Sequence, residues 1–156
     1  MGFLLEKVIN SFFPNYCMGS DLKVGDIMRK NVIIVNESES IVSISKLMKK
    51  NAVGSIVVIE GKKANGIITE RDIVYKVNAE GKDPSKIMAK EIMSSPIIVI
   101  TPEATLEEAA KAMKRHNIKR LPVINKGKEL VGIISERDIM EIFPAIVDLI
   151  EEKAQL

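Results

Sequence analysis

The sequence predicts a mixed α/β protein of the α+β type, built from two copies of one β-α-β-β-α unit, and three observations predict it. The heptapeptide GIITERD at residues 66–72 returns as GIISERD at residues 132–138. The likeness extends upstream: laying residues 26–59 over 91–124 brings DIM onto EIM, VIIV onto IIVI and Met48 onto Met113. One extra residue near KGKEL then moves the offset from 65 to 66 for the heptapeptide. In both copies, short β-branched runs and stretches of helical apolar spacing follow one another in the same order. A period this long is unlike a solenoid repeat and suits a duplicated small domain.

Each element has a local reason. VIIV (32–35) and IIVI (97–100) are β-branched runs bounded by turn and cap residues, so they read as buried strands. A helix follows in each copy. In the second, Leu106, Ala109, Ala110 and Met113 share one face, with Thr105 as N-cap and Glu108 three residues on, a capping box. In the first, Ser40 takes the cap position ahead of Ile41, Ile44, Leu47 and Met48. SIVVIE (55–60) and RLPVIN (120–125) are the middle strands, closed by turns at Gly61 and Gly127. GIIT and GIIS form third strands that run into last helices carrying Ile73, Val74 and Val77, or Ile139, Ile142 and Phe143. A single unit of this size buries too little surface to offset chain entropy, so the two copies are expected to pack together. The boundary falls in NAEGKDPSK (78–86), where Gly81 and Pro84 break both kinds of apolar periodicity. The expected division is therefore an N-terminal amphipathic extension over 1–23, one unit over 24–80, a second over 81–143 and a C-terminal helix over 144–156.

Composition sets the class. Apolar residues make up 46% and charged residues 28% of the 156, with a net charge of +2 spread by interleaved signs. That is the mixture of a folded globular protein, and it creates no demand for an acidic partner. Cys17 is the only cysteine, so a reducing, cytoplasmic setting is expected. No apolar run reaches the roughly 20 residues that span a bilayer. His116 is the lone histidine and stands at a helix end, where a cation suits the C-terminal dipole. With so few His and Cys, neither a metal site nor a Cys-His nucleophile is assembled, and no acid-base pair replaces them. The reading is of a protein that is not an enzyme.

The repeated TERD and SERD admit two readings. A hydroxyl residue with an acid three positions on, just before an apolar helical run, is a capping box. The same geometry also sets a hydroxyl and a carboxylate beside unpaired helix amides, where phosphate or a sugar diol can be held. An ionised carboxylate only accepts hydrogen bonds, which matches two neighbouring ribose hydroxyls. A cap alone does not account for the return of Gly66 and Gly132, the flanking Ile pairs and both Arg residues.

These motifs, DIM…VIIV…SIVVIE…GIITERDIV and EIM…IIVI…RLPVIN…GIISERDIM, resemble a tandem pair of cystathionine β-synthase (CBS) domains, a Bateman module, across residues 24–143. The resemblance implies two units packed sheet to sheet with pseudo-twofold symmetry and two clefts for adenosine-containing ligands. It assigns Thr69 and Ser135 to phosphate or ribose, and Asp72 and Asp138 to the ribose hydroxyls. Adenine is expected between the early and middle strands: Val32 and Ile34 with Ser55, Ile56 and Val57, or Ile97 and Val99 with Leu121 and Pro122. Apolar walls with backbone donors and acceptors can read a purine edge.

The copies differ where the second has Lys119 and Arg120 and the first has Gly54 and Ser55. Members of the family that bind phosphorylated nucleotides often carry basic residues there, so unequal clefts are expected, with phosphate served by Lys119 and Arg120. Solvated charges at a strand start are the alternative. Arg71 and Arg137, beside the motif aspartates, either reach phosphate or sit in solvent. The amphipathic residues 1–13, with Leu4, Leu5, Val8, Ile9, Phe12 and Phe13, and the segment after Pro144 need a surface to cover. Because CBS pairs commonly dimerise through their helices, a homodimer interface is the expected place, ahead of a membrane. The resulting expectation is a regulatory sensor that binds AMP, ADP, ATP or an S-adenosylmethionine-type ligand and signals to a protein partner. A protein-assembly module with vestigial clefts and a nucleic-acid-binding module are the alternatives.

Overall fold

The computed structural model describes residues 22–142. The amphipathic residues 1–13, Cys17, Phe143 and the segment 144–156 lie outside them. The first copy runs α1 (Val24–Ile27), β1 (Ile34–Asn36), α2 (Ile41–Asn51), β2 (Ser55–Glu60), β3 (Lys63–Thr69) and α3 (Glu70–Ile73), which continues into a π-helical turn, Val74–Asn78. The second runs α4 (Ala89–Ile92), α5 (Leu106–His116), β4 (Arg120–Ile124) and β5 (Leu130–Ser135), and ends in a helix, α6, over 136–142.

The predicted helices start where their caps say they should. Ser40 Oγ accepts from the Ser43 amide at 3.3 Å, and Thr105 Oγ1 accepts from the Glu108 amide at 3.1 Å while the Glu108 carboxylate accepts from the Thr105 amide at 2.7 Å. Both helices end on a left-handed residue, Ala52 and Asn117. In the first sheet β1 is parallel to β2, with Ile34 opposite Val57, and β3 is antiparallel to β2. In the second sheet β4 and β5 pair antiparallel, but the strand expected over 97–100 shrinks to a single parallel bridge, Ile100 to Val123. Proline is the reason. The Val57 amide donates to the Ile33 carbonyl at 3.1 Å, and the matching position in the second copy is Pro122, which has no N–H to give.

Two apolar cores form, and each borrows from the other copy. One gathers Ile41, Ile44, Ile56, Ile68 and Val77 together with Ala89 and Ile92 of α4. The other gathers Ala109, Met113, Leu121, Val123 and Ile134 together with Val24 of α1. The short leading helices are thus exchanged. Their backbones follow suit: the Val24 and Gly25 amides donate to the Ala104 and Pro102 carbonyls at 2.8 and 2.9 Å, and the Ala89 and Lys90 amides donate to the Glu39 and Glu37 carbonyls at 2.8 and 3.1 Å. Beyond each helix the chain pairs once with the other copy's third strand, Arg29 with Ile133 and Ser94 with Ile67, before joining its own sheet.

This exchange explains the repeated glycines. Met28 lies over Gly132 and Met93 over Gly66, so close that a β-carbon on either glycine would stand 2.5 Å from a methionine sulfur. The glycine of each heptapeptide is there for packing, which accounts for its return without a ligand. Among the described residues no helix is long and apolar enough to cross a membrane.

Candidate functional site

The site is built on the end of β5. Ser135 caps α6 and Asp138 closes the capping box. Asp138 Oδ2 accepts from the Ser135 amide at 2.9 Å and from its hydroxyl, and the Asp138 amide donates back to Ser135 Oγ at 3.2 Å. The other carboxylate oxygen, Oδ1, accepts from Arg29 Nε at 2.7 Å. The Asp138 side chain is only 8% exposed, whereas that of Arg29 is 61% exposed. Burial works to raise the Asp138 pKa. The hydrogen bonds from Ser135 and Arg29, with the Arg29 charge, outweigh it and hold the group below its ordinary 3.8.

The first amide of each terminal helix finds its partner just ahead of the middle strand. The Glu136 amide donates to the Lys119 carbonyl at 3.0 Å, and the Glu70 amide to the Gly54 carbonyl at 3.2 Å. In the second copy this backbone tie sets Lys119 and Arg120 beside the Ser135–Asp138 cap. The Arg120 side chain crosses to the first copy, where a β-carbon on Gly54 would lie 2.9 Å from Nη2. Gly54 is therefore the opening that admits Arg120.

These groups line a cavity of about 390 Å³ shared by the two copies. Of the residues singled out in the sequence, it brings together Val32, Ser55, Lys119, Arg120, Ser135 and Asp138. Arg137 also lines it, with Nε held by Glu141 at 2.8 Å. Four cationic side chains, Arg29, Lys119, Arg120 and Arg137, face two carboxylates, Glu136 and Asp138.

The remaining candidates are elsewhere. Ile34, 46% exposed, borders an adjoining hollow of about 460 Å³ with Ile59 and Val131, and Val32 lines both. Ile56, Val57 and Leu121 have no exposed surface, Pro122 is buried, and none of the four lines the shared cavity. Ile97 and Val99 are half-buried on the segment leading to Ile100. Thr69 and Asp72 form the first copy's capping box, with the Thr69 amide on Asp72 Oδ2 at 2.8 Å and Lys76 Nζ on Asp72 Oδ1 at 2.8 Å. The Arg71 guanidinium lies 4.9 Å from the centre of the Tyr75 ring.

Arg29 is the residue that sequence reasoning missed. Its match in the other copy is Ser94, a difference as marked as Lys119 against Gly54, but it follows DIM and not the heptapeptide.

A duplicated α+β unit whose halves trade their leading helices and share a cleft defines a paired-domain protein. The model of the CBS domain family matches the chain twice, over residues 24–79 and 89–145, and the chain belongs to that family. An uncharacterised protein of Methanopyrus kandleri is 38% identical over 85% of this chain and 68% of its own. The hexameric CBS-CP12 protein from bloom-forming cyanobacteria superposes with a TM-score of 0.71 at 40% identity, covering 76% of this chain and 69% of that one. The CBS domain pair of protein MJ0100, solved in complex with 5′-methylthioadenosine and S-adenosyl-L-methionine, gives a TM-score of 0.71 at 28% identity over 80% of this chain and 97% of that one.

Proposed function

We propose that this CBS pair is a regulatory sensor that binds an adenosine-containing ligand, AMP, ADP, ATP or an S-adenosylmethionine-type molecule, in the cleft around Asp138. The observation that carries the reading is the convergence of the Ser135–Asp138 cap, Lys119, Arg120, Val32 and Ser55 on one cavity drawn from both copies. Asp138 Oδ1 is the acceptor for the ribose hydroxyls, because Oδ2 is committed to the cap. Lys119 and Arg120 take phosphate, and the purine lies along Val32 and Ser55. The adenosyl complex of a similar domain pair supports this choice of ligand class.

The two clefts are unequal in this reading. On the Asp72 side Gly54 replaces Lys119, and Lys76 of the same helix already holds the aspartate. The sensor works by binding, without turnover: a ligand held by both copies favours the arrangement that closes the cleft, in proportion to its differential affinity. A cytoplasmic setting is part of the same proposal, in keeping with Cys17 as the single cysteine.

Titration calorimetry with AMP and ATP tests it. The wild type is expected to bind, and Arg120→Ala to weaken binding by on the order of tenfold, the loss of a charge-assisted hydrogen bond. Unchanged affinity removes Arg120 from the site. Neither heat nor a melting shift with any adenosine compound removes the ligand reading as a whole.

A homodimer joined through the terminal helices belongs to the proposal. Val74 and Met140, at matching positions of the two copies, are 49% and 68% exposed, and Tyr75 is 56% exposed. Sedimentation is expected to show a dimer for the wild type and a monomer for the Val74→Glu, Met140→Glu double variant. A wild type that sediments as a monomer at micromolar concentration would refute this contact.

A further inference from the structure

We propose that Arg29 determines which ligands the Asp138 cleft accepts, selecting adenosine compounds that bring phosphate over uncharged nucleosides and cationic sulfonium compounds. The inference rests on the reading that this cleft binds an adenosine-containing ligand, and it adds a residue and a rule of selection.

The argument starts from the acceptor. Both oxygens of Asp138 are engaged, Oδ2 by the amide and hydroxyl of Ser135 and Oδ1 by Arg29 Nε at 2.7 Å. A ribose diol that reaches Asp138 therefore meets an oxygen already bonded to a cation. One partner can yield and the other cannot: the arginine side chain is 61% exposed, while the aspartate is 8% exposed and fixed by its helix cap. The Arg29 backbone is held in both directions by Ile133, at 2.9 and 3.0 Å, so the guanidinium can swing without moving the chain.

What the ligand brings decides the outcome. An uncharged nucleoside that draws Oδ1 away from Arg29 brings no anion in exchange, in a cavity the guanidinium shares with Lys119 and Arg120. A phosphate group supplies a new anionic partner, well matched to the planar fork of arginine. A sulfonium group adds another positive charge and is disfavoured. The selection belongs to this cleft alone of the two: the other copy has Ser94 at the matching position, and its Asp72 is held by Lys76 from its own helix.

The test is the ratio of affinities for AMP and adenosine, measured by calorimetry on the wild type, Arg29→Ala and Arg29→Gln. The wild type is expected to favour AMP. Both variants should bind adenosine more tightly and AMP more weakly, so that the ratio falls by on the order of tenfold. Arg29→Gln keeps a donor for Oδ1 and carries the test should alanine unsettle Asp138. A ratio unchanged in folded variants, with AMP still bound by the wild type, overturns the role of Arg29 and leaves the ligand reading standing. A wild type that binds neither compound overturns both. Inorganic pyrophosphate bound as tightly as ADP would also overturn the proposal, since the diol would then play no part.

Discussion

Truncating Ile92 to alanine is expected to cost about 2–5 kcal/mol of global stability, the range for a large aliphatic side chain removed from a packed core. Urea unfolding followed by far-UV circular dichroism measures it. The location of the damage is as informative as its size. Ile92 belongs to the second copy in sequence, yet it is 2% exposed within the core built on Ile41, Ile44, Ile56 and Ile68 of the first. Hydrogen exchange should therefore quicken first in β2 and β3, with β4 and β5 following only as far as global unfolding carries them. Faster exchange confined to the second copy would show that α4 does not pack where it is described. Val24, fully buried in the other core, makes the reciprocal experiment.

Asp138→Asn is expected to lose about 1–3 kcal/mol of stability together with most of the affinity for adenosine ligands. An asparagine can still cap Ser135 through its carbonyl oxygen. Its amide nitrogen must then face Arg29 Nε, donor against donor, where the aspartate now accepts at 2.7 Å. The pH dependence separates this from a merely steric loss. The folded carboxylate titrates below its ordinary 3.8, so its contribution is fully present above that value and is lost as pH falls through the depressed one. The stability gap between wild type and variant should stay constant near neutrality and shrink below about pH 3.8. A gap that is flat to the lowest pH at which the protein folds would mean that the charge of Asp138 contributes nothing.

Much of this was legible in the residues, for reasons that are local. The caps at Ser40 and Thr105, the helices behind them and the antiparallel hairpins ending in the two heptapeptides depend on neighbours within a few positions, and periodicity reports those well. The capping boxes at Thr69 and Ser135 were equally visible. What escaped depends on distant partners. DIM and EIM are too short to reveal that their methionines reach the other copy's glycines, so Gly66 and Gly132 looked like parts of a binding motif. The strand over 97–100 has the right residues, and its pairing fails through an N–H that Pro122 lacks on the neighbouring strand. Arg29 lies 109 positions from Asp138, and no spacing rule connects them.

The traded leading helices bear on where such a molecule could have come from. A polypeptide holding one copy would own a helix with no home and a core with a gap, and it would find both remedies in a twin of itself. Fusing the twins in one gene turns an encounter that depends on concentration into one that a short tether guarantees. It also frees the halves to diverge, so that a pocket once duplicated by symmetry can specialise on one side while its counterpart is kept for architecture.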